Sequence, residues 1–162
     1  SCGRTRIAII AGDSEYSVTH ERMRGALKAL HDAGLQLAGE ARFGPWEAEW
    51  GRAAARLLLN DGAAFDAVIC QNDVLARGCI EELERNGCRV PQDVAVIGHD
   101  NSPDYVSYAH PLLTSIDDNN EMLGRQAALC LLDAIAGHPH HGVERVPVKL
   151  IQRCRWIDNV TG

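Results

Sequence analysis

The sequence is poor in aromatic residues (5%) and holds only 2 Met. It has no excess of positive charge: 16 Lys and Arg stand against 22 Asp and Glu, a net charge of −6. Phosphate backbones are gripped by clustered Lys and Arg, so no nucleic-acid surface is expected on this stretch of chain. No apolar run approaches the roughly 20 residues of a membrane span. No signal-peptide pattern precedes the first apolar run, which follows directly on Ser1–Arg6. That abrupt start is expected of a chain cut from a longer protein. Six Cys stand at 2, 70, 79, 88, 130 and 154 with no C-x-x-C pair. A chain of this length needs no disulfide staples, so they are expected to be reduced, packed thiols of a cytoplasmic protein.

Several catalytic signatures are missing as well. There is no G-x-S-x-G elbow, no H-E-x-x-H and no G-x-x-x-x-G-K-[ST] loop. Gly12-Asp13-Ser14-Glu15 lacks the later glycines of a dinucleotide fingerprint. His99 and Asp100 are sequence neighbours, and at an extended strand end their side chains are expected to diverge. No enzyme activity, catalytic residue or cofactor is expected.

What is present is an alternation of strands and helices. Arg6–Ala11 (RIAIIA), Phe65–Cys70 (FDAVIC) and Asp93–Gly98 (DVAVIG) are short β-branched runs of buried parallel strands, with a further strand at Leu113–Ile116. Leu35–Arg42 is a weaker strand, and Val143–Arg153 holds a final strand or pair. Helical spacing runs over Thr19–Ala33 (Met23, Ala26, Leu27 and Leu30 on one face) and Glu47–Leu59 (Ala53, Leu57 and Leu58 inward). It recurs over Asp73–Asn86 and Asn120–Ala136, while Ser102–Ala109 makes a short turn begun by Ser102-Pro103. Gly34, Gly87 and Gly137 stop three of these helices. The pattern predicts an α/β fold, a doubly wound parallel sheet flanked by helices. His138-Pro139-His140-His141-Gly142 reads as a loop; metal binding is its lesser reading, and no metal ligand is assigned there.

Open parallel sheets bind ligands beyond the carboxyl ends of their strands. Those positions hold Gly12–Tyr16, Gln71-Asn72-Asp73 and His99-Asp100-Asn101-Ser102, a set rich in amides and carboxylates. Carboxylates accept hydroxyls and Asn both donates and accepts, which suits a neutral polyol. Trp46 could face a sugar ring and Arg22 could offer a forked donor from the first helix. Each has a plainer alternative: Asn72 or Asp73 as a helix cap, Asp100 as a turn residue, Trp46 as core.

The stretch Phe65–Ala76, with Asn72-Asp73-Val74-Leu75-Ala76 after its strand, resembles the "NDxxA" element of the lactose-repressor (LacI/GalR) transcription regulators. Gly87 and Val90–Asp100 resemble the family's "V-P-x-D-v-x-V-v-G-[FY]-D", and Pro111–Ile116 its "P-x-L-T-[TS]-[IV]". Leu123–Ala128, Arg6–Gly12 and Arg22–Gly25 fit further elements in order. The resemblance spans essentially the whole chain.

The resemblance implies a periplasmic-binding-protein-like sensor region, an incomplete C-terminal subdomain. Residues of about 3–116 and 146–157 would form that subdomain, and about 117–145 would cross to the N-terminal one. It implies a homodimer that binds a sugar or similar effector in a cleft between subdomains. Operator DNA would be bound only through a helix-turn-helix headpiece absent here. By motif, effector contacts would fall on Arg22, Trp46, Asn72, Asp100 and Asn120. Here His99 replaces a Phe or Tyr, and Asn120 stands where an aromatic ring is common. The same resemblance implies that helix 120–136 lacks its sheet, so it is expected to be displaced, poorly ordered or packed on another copy. Half a cleft should hold effector weakly. A periplasmic sugar-binding protein of the same fold is the alternative reading.

Overall fold

The computed structural model describes residues 3–62, 64–107 and 110–153. The element order is β1 (Ile7–Ala11), α1 (Ser17–Asp32), β2 (Arg42–Phe43), α2 (Ala48–Asn60), β3 (Ala67–Cys70) and α3 (Asp73–Arg85). It continues with β4 (Ala95–His99), α4 (Pro103–Val106), β5 (Thr114–Asp117), α5 (Asn120–Ile135) and β6 (Lys149–Ile151). The sheet runs β2-β1-β3-β4-β5-β6. The first five strands are parallel, and β6 returns antiparallel against β5. The order reverses beside β1, so α1 lies on one face and α2 and α3 on the other, as a doubly wound sheet requires.

Alternation along the strands sorts the two faces. Ala8, Ile10, Val68, Cys70, Val94 and Val96 point with Leu58, Leu75, Cys79 and Leu83 into the main core under α2 and α3. These two helices lie very close. A Cβ on Gly78 would stand 2.0 Å from the Ala48 carbonyl oxygen, and one on Gly51 would stand 2.3 Å from that of Leu75. Arg56 adds a two-pronged pair to Glu82, at 2.8 and 3.1 Å. Among the described residues the opposite face is only partly covered. Ile9, Ala11 and Met23 pack beneath α1. Ile69, Ile97 and Ile116 instead line an apolar cleft of about 340 Å³ beside that helix.

Some local expectations change. The weak strand at 35–42 shrinks to Arg42–Phe43 plus a single bridge between Ile7 and Leu37, because the segment meets β1 at Leu37–Ala38 and again at Arg42–Phe43 and not between them. In α2 the buried face is Gly51, Ala54, Ala55 and Leu58. Leu57 is exposed, since the close approach to α3 selects small residues. The sheet is not wholly parallel, β6 being a short antiparallel edge. The end of the 102–109 turn, residues 154–157, Cys2 and Cys154 lie outside the described residues. Cys70 and Cys79 are buried, Cys88 and Cys130 partly so, and all four are free. No helix among the described residues is long and apolar enough to cross a membrane.

Helix α5 forms as a regular 16-residue helix with no buried residue. Of the three expected alternatives, poor order is not what the structure shows, since the helix is regular and unbroken. Its Met122, Leu123, Leu131, Leu132 and Ile135 stand in solvent, Ile135 at 74% exposure. A helix normally buries such a stripe, at about 1.5–3 kcal/mol for each large side chain.

Two outcomes are expected. Gly78→Ala should destabilise the chain by about 1–3 kcal/mol through overpacking. Gly25→Ala, in a helical position facing open space, should stabilise it by about 0.5–1 kcal/mol. Denaturant melts of both variants check this. The chain should also self-associate as its concentration rises, and L131D/I135D should reduce that association. A sedimentation profile that stays monomeric throughout would show that α5 needs no cover.

Candidate functional site

The carboxyl ends of β1, β3, β4 and β5 open at one edge of the sheet, and the polar residues that follow them meet there. Gln71, after β3, donates from Nε2 to the Thr19 carbonyl at 3.0 Å and accepts the Gly12 N–H at 3.2 Å. This locks the β1–α1 loop to the neighbouring strand. Below it Asp73 is buried at the start of α3. It accepts the Ser115 hydroxyl at 2.6 Å and the Ser102 N–H at 2.8 Å. Gly98 makes room for this carboxylate, since a Cβ there would lie 2.2 Å from Asp73 Oδ1. Burial raises the Asp73 pKa, and its two donors work against the rise. Asp73 thus fixes the β4 and β5 ends from behind.

In front of that frame Arg22 reaches out from α1. Its guanidinium donates to the Gln71 carbonyl at 2.5 Å, to Asp100 Oδ1 at 3.1 Å and to Asp118 Oδ2 at 3.4 Å. It also lies 6.0 Å from the centre of the Trp46 ring, within reach of a cation–π attraction. Trp46 sits over Gly12, where an added Cβ would fall 2.1 Å from the indole. Asp100 has a φ of +97°, outside the extended range. That turn swings its carboxylate back toward its neighbour, and His99 Nδ1 lies 3.4 Å from Asp100 Oδ1. The two side chains therefore converge, and the expectation that they diverge fails because the strand ends at His99. His99 Nε2 is 3.3 Å from Asp118 Oδ1.

The electrostatics follow from this crowding. Burial raises the Asp100 pKa, the Asp118 charge adds to the rise, and Arg22 opposes it. Burial first, and then the Arg22 charge, lower the His99 pKa, against the pull of both aspartates. His99, Asp100 and Asp118 place their ligand atoms within 4.8 Å of one another. The Arg22 guanidinium already compensates these carboxylates, so a cation would have to displace it.

Of the five residues singled out by motif, Arg22, Trp46 and Asp100 are brought together. Asn72 follows Gln71, whose carbonyl Arg22 bonds, but its Oδ1 caps α3 by accepting the Leu75 N–H at 2.8 Å. Asn120 opens α5 in an exposed position and, among the described residues, takes no part in the bonds joining the others. Asp118 is an addition. It follows β5 as Asp100 follows β4, so the strand-end rule points to it too. The arrangement offers carboxylate acceptors, a guanidinium donor and an aromatic face, which fits recognition of hydroxyls rather than bond-breaking.

Residues 1–154 match the family model of the periplasmic binding protein-like domain. The chain is 36% identical over 154 residues to the HTH-type transcriptional repressor CytR of Escherichia coli (strain K12), covering 93% of this chain and 45% of that protein. It is 35% identical over 150 residues to the HTH-type transcriptional regulator CelR of Thermobifida fusca, covering 92% and 42%. The chain therefore spans less than half the length of these relatives. Among solved structures it resembles the Lac repressor bound to ONPG, with a TM-score of 0.87, 30% identity and coverage of 93% and 45%. It also resembles a CelR–cellobiose complex, with a TM-score of 0.81, 34% identity and coverage of 93% and 46%. These relatives are transcriptional regulators, not enzymes. The chain belongs to the LacI family of transcriptional regulators, as part of their periplasmic binding protein-like, effector-binding region.

Proposed function

We propose that the strand-end cluster is one wall of an effector site for a sugar or similar neutral polyol, in a cytoplasmic regulator that acts as a homodimer. The observation that carries this reading is Arg22 held between Asp100 and Asp118 beside Trp46. Hydroxyls can donate to the carboxylates and accept from the guanidinium, while an apolar sugar face lies on the indole. Asn72 has its amide nitrogen to offer, since its oxygen is used as the cap. Asn120 would join the site from the segment of about 117–145, which crosses toward the other half of the cleft.

In this reading the parent protein has two subdomain orientations, and the effector binds one better than the other. That difference in affinity biases the equilibrium and, through it, operator binding by a headpiece outside this chain. Among the structures it resembles, one regulator holds cellobiose and another ONPG, which supports a glycoside-like effector. This chain by itself supplies one wall, so it should bind effector weakly and operator DNA not at all.

The test is calorimetry on the longer parent protein against a panel of mono- and disaccharides. Arg22→Ala or Asp100→Ala should lower affinity for the best ligand tenfold or more, the loss of about 1.5–3 kcal/mol expected for a hydrogen bond to a charged group. Unchanged affinity in both variants would refute the site. The raised Asp100 pKa sets the direction of the pH effect. The ionised carboxylate is the better hydroxyl acceptor, so affinity should be full at neutral pH and fall on acidification. The fall should begin at a higher pH than for an ordinary exposed aspartate. Affinity that rises on acidification would contradict this.

A further inference from the structure

We propose that Cys130, His140 and Glu144 form a binding site for a borderline divalent transition metal, with Zn²⁺ the best fit. It shares no residue with the effector cluster.

The site is built by a chain reversal. Gly137, at φ +89°, ends α5 in the left-handed region, and the His138 N–H returns to the Asp133 carbonyl at 2.9 Å. The chain then doubles back along the helix. Gln126, Cys130 and Asp133 recur at spacings of four and three, so they share the face that meets the returning segment. Gln126 Nε2 donates to Glu144 Oε2 at 2.6 Å and so holds that carboxylate beside the thiol.

The donor atoms lie close enough together to share one ion. Cys130, His140 and Glu144 each bring one ligand atom within 4.8 Å of the others. Cys130 Sγ lies 3.7 Å from Glu144 Oε2, and His140 Nδ1 lies 3.3 Å from Glu144 Oε1. A tetrahedral Zn²⁺, with bonds of about 2.3 Å to sulfur and about 2.1 Å to nitrogen or oxygen, spaces its ligand atoms roughly 3.4–3.6 Å apart.

Behind the imidazole, Asp133 Oδ2 lies 2.8 Å from His140 Nε2. A carboxylate on the far ring nitrogen fixes the tautomer so that Nδ1 presents its lone pair to the ion. Charge argues the same way: a thiol and two carboxylates surround one imidazole, and among the described residues no Lys or Arg pairs with Asp133 or Glu144. At the effector cluster an arginine fills that role. The thiolate selects Zn²⁺ or Co²⁺ over Mg²⁺ or Ca²⁺. A fourth position is left for water or for His138 or His141 of the same loop.

The experiment titrates the reduced 162-residue chain with Co²⁺ and Zn²⁺, read by absorbance and by competition with a chromophoric chelator. One equivalent should bind, Co²⁺ should show a thiolate charge-transfer band, and Zn²⁺ should displace it. Cys130→Ser should abolish the band, and His140→Ala and Glu144→Gln should each weaken Zn²⁺ affinity tenfold or more. Asp133→Asn, a positioning change, should weaken it by about tenfold. These side chains lie outside the core, so circular dichroism of the variants should match the parent. A titration without the thiolate band would overturn the site. So would a band that survives in Cys130→Ser, or an affinity that His140→Ala leaves unchanged.

Discussion

One guanidinium joins four separate parts of the fold. Arg22 comes from α1, and its partners stand after β3, β4 and β5. Each of those chain segments is placed by the sheet, so the arginine can meet all three only when the strands are in register. The reverse also holds. Asp100 and Asp118 lie in a partly buried setting where two carboxylates without a cation would repel, and Arg22 lets them stay close. The price of this arrangement is local strain, visible as the left-handed backbone at Asp100 and Asn101. Such strain gathers where side chains must be aimed rather than merely packed.

The frame behind the cluster is what makes that aim reproducible. Asp73 bonds Ser102 and Ser115, Gln71 bonds the loop after β1, and Gly98 and Gly12 yield space to a carboxylate and an indole. Small residues at contact points recur in the tight pairing of α2 and α3. The same economy of space governs the core and the site. By contrast α5 and the face lined by Ile69, Ile97 and Ile116 carry apolar surface that no other described residue fully covers.

The alternation of strands and helices was legible because Ile-, Val- and Ala-rich runs end in polar clusters and the helices end at glycines. Boundaries slipped where the signal was weak. Residues 35–42 have no clear alternation, and Leu57 looks apolar in a helix whose buried face is decided by a close neighbour. Arg22, Trp46 and Asp100 were readable from motif and strand-end position. His99 and Asp118 were harder to see. Their meeting depends on the backbone turn at Asp100 and on the β4–β5 register, neither of which a linear pattern displays. Cys130, His140 and Glu144 were hidden for a similar reason, since only the reversal at Gly137 brings a helix thiol beside a loop carboxylate.

The central claim is that the strand-end cluster receives a polyol. The measurement that bears on it most directly is a crystal structure of the parent protein with the effector that binds it best. The account predicts ligand hydroxyls within hydrogen-bond distance of Arg22 and at least one of Asp100 and Asp118, with a ring face on Trp46. An effector bound elsewhere, with the Arg22–Asp100–Asp118 bonds untouched, would contradict it.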